Sequence, residues 1–198
     1  MAGALDRDSS AIRGFFVATV ILLNGVGSAG KSSIAKALQT ITAEPFLHVA
    51  MDAFFEMMPA RYWNHPDGVT FETVQQDGKP SVVIHSGPVA DRIMRGMRRS
   101  IAAMAREGNN LIVDDVLIED EMAEYEALLA DVTFRTVGVF APLDVLEARE
   151  RTRGDRMIGL ARWQYGRVHH GKRYDLELDS SKASPLECAE RIKQRFAL

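Results

Sequence analysis

The chain has 198 residues, a net charge of −3, 46% hydrophobic residues and 26% charged residues. These values argue against nucleic acid as a partner, and no stretch reaches the ~20 apolar residues that a membrane-spanning helix requires. The length allows one hydrophobic core, so we expect a single domain over residues 15–198 after a mobile leader over residues 1–14. The single cysteine, Cys188, cannot form an internal disulfide and fits a reducing cytoplasm.

Segments typical of strands and helices alternate along the chain. Unbroken apolar runs predict buried parallel strands, and apolar residues at helical spacing predict the helices between them. The predicted strands cover residues 17–23, 46–51, 111–113, 132–140 and 174–178. The predicted helices cover residues 32–40, 53–58, 89–106, 119–129, 142–151, 158–169 and 185–196. This alternation predicts an α/β fold with a mostly parallel central sheet.

Residues 61–88 interrupt the alternation. Aromatic residues lie there among glycines and prolines, and apolar and polar residues alternate over 70–74 and 81–85. We predict a hairpin-like insertion on the substrate side of the domain.

The glycine-rich segment between the first predicted strand and the first predicted helix matches G-x-x-x-x-G-K-[ST]. Glycines let the backbone approach a phosphate, a helix N-terminus presents free N–H groups, and Lys31 adds a positive charge. A structural glycine turn is the alternative, but the strand and helix on either side favour a phosphate-binding loop for ATP. We expect Lys31 to face solvent and Ser32 to bind magnesium. The residues predicted to bind the nucleotide are Gly25, Val26, Gly27, Ser28, Ala29, Gly30, Lys31, Ser32 and Ser33.

Two aspartates directly follow the predicted strand over 111–113. An acid in this place can hold magnesium directly or through water. Consecutive strand residues point to opposite faces, so Asp114 and Asp115 cannot serve one ion equally well, and we choose Asp114. Simple termination of the strand is the alternative for both residues.

An arginine-rich segment over 149–156 overlaps the end of the predicted helix over 142–151. A guanidinium stays charged and can bind two phosphate oxygens, so a closing lid of arginines would neutralise charge during phosphoryl transfer. A solvated charge run is the alternative interpretation.

Asp52 follows the second predicted strand. A carboxylate beside an acceptor can orient its hydroxyl and take its proton, as a kinase requires. Aspartate is also among the best helix N-caps, and the predicted helix over 53–58 would give it that role. The residues alone leave these two interpretations open.

Nine short motifs occur in this order along the chain: Leu22-Leu23-Asn24-Gly25, Ser28-Ala29-Gly30-Lys31-Ser32, Met51-Asp52, Met58-Pro59, Ile112-Val113-Asp114-Asp115-Val116, Arg149-Glu150, Arg153-Gly154-Asp155-Arg156, Tyr174-Asp175 and Glu187-Cys188-Ala189. Together they resemble the chloramphenicol phosphotransferase family over about residues 18–197. The phosphate loop is generic, whereas the asparagine before it, the spacing to Asp52 and the Arg-Gly-Asp-Arg segment are more particular to this family.

This resemblance implies a three-layer P-loop kinase fold with a short lid. It also implies transfer of phosphate from ATP, with Mg²⁺, to the primary hydroxyl of chloramphenicol. It favours the base interpretation for Asp52, and it implies catalytic roles for Lys31 and for the lid arginines Arg149, Arg153 and Arg156. Arg151 has no counterpart in the family pattern.

The acceptor stays open, because residues 60–88 are longer than the family pattern and carry Tyr62, Trp63, His65 and His85. The aromatic rings could line an apolar pocket or only pack the hairpin. The main prediction is an O-phosphotransferase acting on a small hydroxylated molecule, chloramphenicol or a related compound. The alternatives are another metabolite kinase and a nucleotide-binding regulatory ATPase. The sequence leaves open a homo-oligomer and a role in antibiotic resistance.

Overall fold

The structure, a computed structural model, describes residues 17–154 and 157–198. Its strands are β1 (Thr19–Asn24), β2 (Phe46–Ala50), β3 (Val69–Gln76), β4 (Lys79–Ser86), β5 (Asn110–Asp115), β6 (Thr133–Phe140) and β7 (Leu176–Asp179). Its α-helices are α1 (Lys31–Ile41), α2 (Met51–Glu56), α3 (Pro88–Arg106), α4 (Glu121–Leu128), α5 (Leu143–Arg153), α6 (Leu160–Tyr165) and α7 (Pro185–Phe196).

Five strands form one sheet in the order β2-β5-β1-β6-β7, and every neighbouring pair is parallel. β1 is the central strand, between β5 and β6, and its last residue, Asn24, is in register with Asp115 and Gly138. The carboxyl ends of parallel strands share one edge of a sheet, which is where α/β folds place their ligands. The loop after β1, the acids at the end of β5 and α2 therefore converge at this edge.

Helices cover both faces of the sheet. Ile21 of β1 belongs to a buried apolar cluster that includes Ile34 of α1 and residues of α7. The next residue, Leu22, belongs to a second cluster on the other face, with Met97 of α3. Successive strand residues point to opposite faces, so an unbroken apolar strand is buried on both sides. The sheet is the middle of three layers.

The strands β3 and β4 form a separate antiparallel hairpin. Its base packs against α2 and α3 through a small apolar cluster that includes Met58, Val69 and Ala90. Near its turn, the Val82 N–H donates a 3.0 Å hydrogen bond to the carbonyl oxygen of Gly159, just before α6. The hairpin therefore reaches from α3 to the segment that leads into α6.

The structure changes some predicted boundaries. The helix predicted over 53–58 begins at Met51, two residues earlier. The helix predicted over 158–169 is the shorter α6, because Gly159 before it adopts a φ of 103° and Gly166 ends it. The predicted leader over 1–14 lies outside the described residues. In the part of the chain that the structure describes, no helix combines the length and apolar character needed to cross a membrane.

Candidate active site

The loop between β1 and α1 has the geometry of a phosphate-binding loop. Gly25 passes so close to β6 that a Cβ added to it would lie 2.5 Å from the carbonyl oxygen of Val139. Gly30 has a φ of 90°, which favours glycine, and it directly precedes α1. Glycine is thus required at the start of the loop by a close approach and at its end by backbone conformation.

Lys31 is the first residue of α1, and its side chain folds back along the loop. Its Nζ donates hydrogen bonds to the carbonyl oxygens of Gly25, at 2.8 Å, and Val26, at 3.2 Å. The residue is only 6% exposed. The expectation that Lys31 faces solvent was therefore wrong, because its long side chain finds carbonyl acceptors within its own loop.

Asp114 at the end of β5 faces the phosphate loop. Its Oδ2 accepts a 2.5 Å hydrogen bond from Ser32 Oγ, and its Oδ1 lies 3.6 Å from Lys31 Nζ. His48 Nε2 lies 3.7 Å from the same carboxylate. Burial raises the pKa of Asp114, but Lys31, His48 and Ser32 together outweigh burial and hold that pKa below its ordinary value. The carboxylate is ionised at neutral pH.

Asp115 has a different environment. It is 1% exposed, it accepts a 2.8 Å hydrogen bond from Tyr125 Oη, and its other oxygen accepts one from its neighbour, the Val116 N–H. Burial raises the pKa of Asp115 to about 6. Of the two acids, only Asp114 contacts the serine and lysine of the loop.

Ser32 and Asp114 supply some of the ligands that a magnesium ion needs. Mg²⁺ prefers oxygen ligands and commonly takes only one or two from the protein, the others coming from phosphates and water. Ser32 and the ionised Asp114 supply two such oxygens. The described residues contain no cluster of three or more acidic, histidine or cysteine side chains that could hold a metal by themselves. Ser32 and Asp114 could therefore hold a magnesium ion together with the phosphates of a nucleotide.

Asp52 lies in the first turn of α2, and the N-cap of that helix is Ala50. The interpretation of Asp52 as an N-cap is therefore wrong: the helix begins before it. Asp52 lines a cleft of about 1130 Å³ that also contains Lys31, Ser32 and Asp114. The structure thus brings Asp52 to the cleft that contains the phosphate loop.

The predicted lid arginines occupy different environments. Arg149 bonds to the hydroxyl and carbonyl oxygens of Ser180, at 3.1 and 2.8 Å, and approaches the Ser28 carbonyl oxygen at 3.5 Å. Arg153, in the last turn of α5, lines the cleft. Arg156 lies outside the described residues. The structure therefore brings Arg153 to the cleft, and it places Arg149 against the backbone of the loop.

An aromatic wall of the cleft is built from α2, β3 and the segment between them. Trp63 stacks on Phe71 of β3, with ring centroids 6.4 Å apart and an angle of 6° between the planes. Phe55 of α2 tilts against Trp63 at the same centroid distance. All three side chains line the cleft. This wall is apolar and aromatic. The ionisable residues Asp91 and Arg95 line the same cleft.

Two polar residues near the loop were not predicted to have any role. His169 Nδ1 lies 2.9 Å from Tyr174 Oη, and Asn24 Nδ2 donates to that same hydroxyl at 2.7 Å. Burial, assisted by the charge of Lys31, lowers the pKa of His169 to about 4. Gln164 of α6 accepts a 2.7 Å hydrogen bond from the Gly27 N–H. Gln164 could not be identified by spacing, because its contact joins residues 137 positions apart in sequence. His169 contacts Tyr174 only five positions later, but an isolated histidine does not by itself indicate a role.

Comparison with known proteins supports the same fold and chemistry. Residues 18–197 match the family described as Chloramphenicol phosphotransferase-like protein. The chain belongs to this family. Two Mycobacterium tuberculosis proteins, from strains H37Rv and CDC 1551 and each named "Putative O-phosphotransferase", are 31% identical to it over 193 residues. The matched region covers 94% of this chain and 86% of each relative.

Solved kinases share the fold of this phosphotransferase-like chain. The Mycobacterium tuberculosis APS kinase, in complex with AMPPNP and APS, gives a TM-score of 0.64 at 15% identity, over 92% of this chain and 99% of that one. A sugar kinase from Janibacter sp. HTCC2649 gives 0.58 at 18% identity, over 91% and 95% of the two chains. Identities this low establish the fold alone. With family membership, the chain is a small-molecule kinase with a P-loop kinase fold, as the sequence predicted.

Proposed function

We propose that this kinase transfers the γ-phosphoryl group of ATP to a hydroxyl of chloramphenicol or of a related small molecule, with Mg²⁺ as cofactor. The observation that carries the proposal is that one cleft contains the phosphate loop, Asp114, Asp52 and an aromatic wall. A nucleotide and an acceptor bound in that cleft would meet next to a carboxylate. The ATPase alternative leaves both Asp52 and the aromatic wall without a role.

In this proposal, the loop from Gly25 to Ser33 holds the phosphates through backbone N–H groups, and Lys31 exchanges its carbonyl acceptors for phosphate oxygens. Ser32 and Asp114 would hold Mg²⁺. When bound, Mg²⁺ neutralises charge on the phosphate oxygens.

Asp52 acts as the general base. It accepts the proton of the acceptor hydroxyl as the bond from that oxygen to the γ-phosphorus forms. The bond from the γ-phosphorus to its bridging oxygen breaks, and ADP leaves with that oxygen.

The three arginines have two different roles in this proposal. Arg153 and Arg156 stabilise charge on the transferring group, while Arg149, bonded to Ser180 and near Ser28, holds the loop in place. These assignments are consistent with the positions of Arg149 and Arg153, and that of Arg156 rests on the family resemblance.

The aromatic wall favours a planar or apolar acceptor such as chloramphenicol. Its phosphorylation would give the protein a role in antibiotic resistance, and a cytoplasmic location would supply ATP. A second candidate is a kinase for a more polar hydroxylated metabolite. Asp91 and Arg95 of α3, which also line the cleft, favour this alternative because they could pair with polar groups of an acceptor.

Mass spectrometry of chloramphenicol, and of a panel of hydroxylated metabolites, after incubation with the protein, ATP and Mg²⁺ tests the proposal. We expect one acceptor to gain one phosphate while ADP is released in equal amount. The variant Asp52→Asn should lose about 10²- to 10⁴-fold in turnover, the range for a removed general base, and should keep its stability. Glu56→Gln, one helical turn later in the same cleft, is the matched control.

Release of ADP at the same rate with and without every acceptor, and with every acceptor unmodified, would contradict transfer and favour the ATPase. Near-normal turnover by a folded Asp52→Asn protein would remove Asp52 from the role of base without excluding the transfer itself.

A further inference from the structure

The side chain of Gln164 extends from α6 to the phosphate loop. Its Oε1 accepts the 2.7 Å hydrogen bond from the Gly27 N–H, although the two residues are 137 positions apart in sequence. Gln164 is 4% exposed, and it lines the cleft together with Lys31 and Ser32. A buried polar side chain is therefore held against the loop that receives the phosphates.

The contact with Gly27 fixes the orientation of the Gln164 amide. A backbone N–H pairs only with an acceptor, so the carbonyl end of the amide must face the loop. The Nε2 group, with its two hydrogens, is then at the other end. No acceptor among the described residues pairs with this Nε2 group. Nε2 is nevertheless absent from the fully enclosed polar atoms that lack a partner, so it is not sealed inside the protein. Because Gln164 lines the cleft, its NH₂ group is available to a ligand bound there.

A buried carboxylate of α5 holds the start of the helix that carries Gln164. Two N–H groups at its start, those of Gly159 and Ala161, donate 2.8 Å hydrogen bonds to the carboxylate of Glu150, which is 3% exposed. After its end, the Val168 N–H donates to the Gln164 carbonyl oxygen at 3.0 Å. A catalytic hydrogen-bond donor is effective when its own surroundings hold it in place. Gln164 meets this condition.

We propose that Gln164 is a further catalytic residue, whose Nε2 donates a hydrogen bond to a non-bridging oxygen of the phosphoryl group during transfer. The proposal rests on the phosphotransfer function above. The loop contains the backbone donors for the phosphates, and the outermost phosphoryl group carries the charge that a further donor would stabilise. Gln164 itself neither gains nor loses a proton, since Asp52 takes the acceptor proton and the bridging oxygen leaves with ADP.

Two substitutions separate donation to phosphate from support of the loop. Gln164→Glu keeps an acceptor for the Gly27 N–H, removes the NH₂ donor and adds a negative charge, whereas Gln164→Met is neutral and removes both hydrogen-bonding groups. A donor to the terminal phosphoryl group acts on ATP and its non-hydrolysable analogues but not on ADP. A residue that only supports the loop acts on both nucleotides alike.

We expect Gln164→Met to weaken binding of the non-hydrolysable ATP analogue at least about tenfold more than binding of ADP, because loss of loop support affects both nucleotides and loss of the charge-assisted hydrogen bond affects only the analogue. Turnover with the acceptor identified above should fall about 10²-fold or more. Calorimetric titration with each nucleotide gives the binding ratio. Gln39→Met, which removes a glutamine bonded to the Phe46 carbonyl oxygen, is the matched control and should leave the ratio unchanged.

Equal weakening of ADP and ATP-analogue binding in Gln164→Met, with normal turnover in Gln164→Glu, would overturn the proposal and reduce Gln164 to a support of the loop. Failure of the proposed function has a different result: the wild type would then phosphorylate no acceptor. In that case the binding ratio alone decides whether Gln164 contacts the terminal phosphoryl group.

Discussion

Ser32 Oγ donates a 2.5 Å hydrogen bond to Oδ2 of Asp114, so the first turn of α1 is joined directly to the end of β5. The two residues are 82 positions apart, and both are oxygen ligands of the kind that Mg²⁺ prefers. The central pairing of β1 with β5 brings them together. Because Asp114 contacts Ser32 and Asp115 contacts Tyr125, substitution of each aspartate in turn can show which one binds the ion.

Asp114→Asn should lower turnover and raise the Mg²⁺ concentration that the enzyme requires. Replacement of the carboxylate removes the negative charge beside Lys31 and weakens one proposed ligand, so we expect turnover to fall about 10- to 100-fold. Measurement of turnover against Mg²⁺ concentration should show a higher requirement for the ion. Asp115→Asn is the control, because Asp115 contacts Tyr125 rather than the loop. An unchanged Mg²⁺ dependence in folded Asp114→Asn would contradict the assignment.

Lys31→Met should lose ATP affinity and turnover while the fold is kept. Methionine retains most of the buried side-chain volume, but it cannot donate to phosphate oxygens or to the carbonyl oxygens of Gly25 and Val26. We expect a loss of at least about 10²-fold in turnover. Nucleotide titration and thermal unfolding measure the two effects. Lys36→Met, on the exposed side of α1, should change neither, and a Lys31→Met protein as active as that control would be evidence against the lysine's role.

Arg153→Lys should lower turnover more than ATP affinity. Lysine keeps the charge but lacks the planar fork that binds two phosphate oxygens, and lid residues act mainly in the transition state. A fall of about 10²-fold in kcat with a nearly constant ATP affinity is the expected result. Arg151→Lys, two positions earlier on α5, is the control because it does not line the cleft. A raised ATP Michaelis constant with an unchanged kcat would assign Arg153 to ground-state binding only.

The buried Asp115 and the half-buried His169 should make stability depend on pH in opposite directions. The pKa of Asp115 is raised from 3.8 to about 6 in the fold, so its ionisation opposes folding. Its favourable contribution is complete below pH 3.8 and is lost as the pH rises through about 6, at a cost of about 3 kcal/mol. The pKa of His169 is lowered from 6.5 to about 4, so its contribution is complete above pH 6.5 and is lost as the pH falls through about 4.

Urea unfolding between pH 4 and pH 7 measures these effects, with the variants Asp115→Asn and His169→Gln compared to the wild type. Relative to the wild type, Asp115→Asn should gain stability as the pH rises through this range, whereas His169→Gln should gain stability as the pH falls. Parallel pH profiles for all three proteins would show that neither group titrates differently in the folded and unfolded chains.

Sequence analysis predicted features that depend on neighbouring residues better than features that depend on contacts with other parts of the chain. The parallel strands are unbroken apolar runs within single segments, so the fold was predicted correctly. The roles of the phosphate loop and of Asp114 stay predictions, although both line the same cleft. The burial of Lys31 was not predicted, because nothing local indicates that its side chain folds back onto Gly25 and Val26. The cap interpretation of Asp52 failed because α2 begins two residues earlier than propensity suggests.

Gln164 and Arg149 illustrate a different limit. Gln164 contacts Gly27 and Arg149 contacts Ser180, each in a distant segment. Neither contact produces a residue pattern that could be recognised in the sequence. Only the order of strands and the docking of α5 and α6 against the sheet determine such pairs.

The central position of β1 also has a consequence for folding. Asn24, at the end of this strand, donates to the Val168 carbonyl oxygen and to Tyr174 Oη, and accepts from the Leu117 N–H. Contacts between residues so distant in sequence form slowly, because a long chain segment must be closed before they can contribute. We therefore expect the nucleotide loop to take its final shape late, and a nascent chain to bind ATP only after residue 174 has emerged from the ribosome.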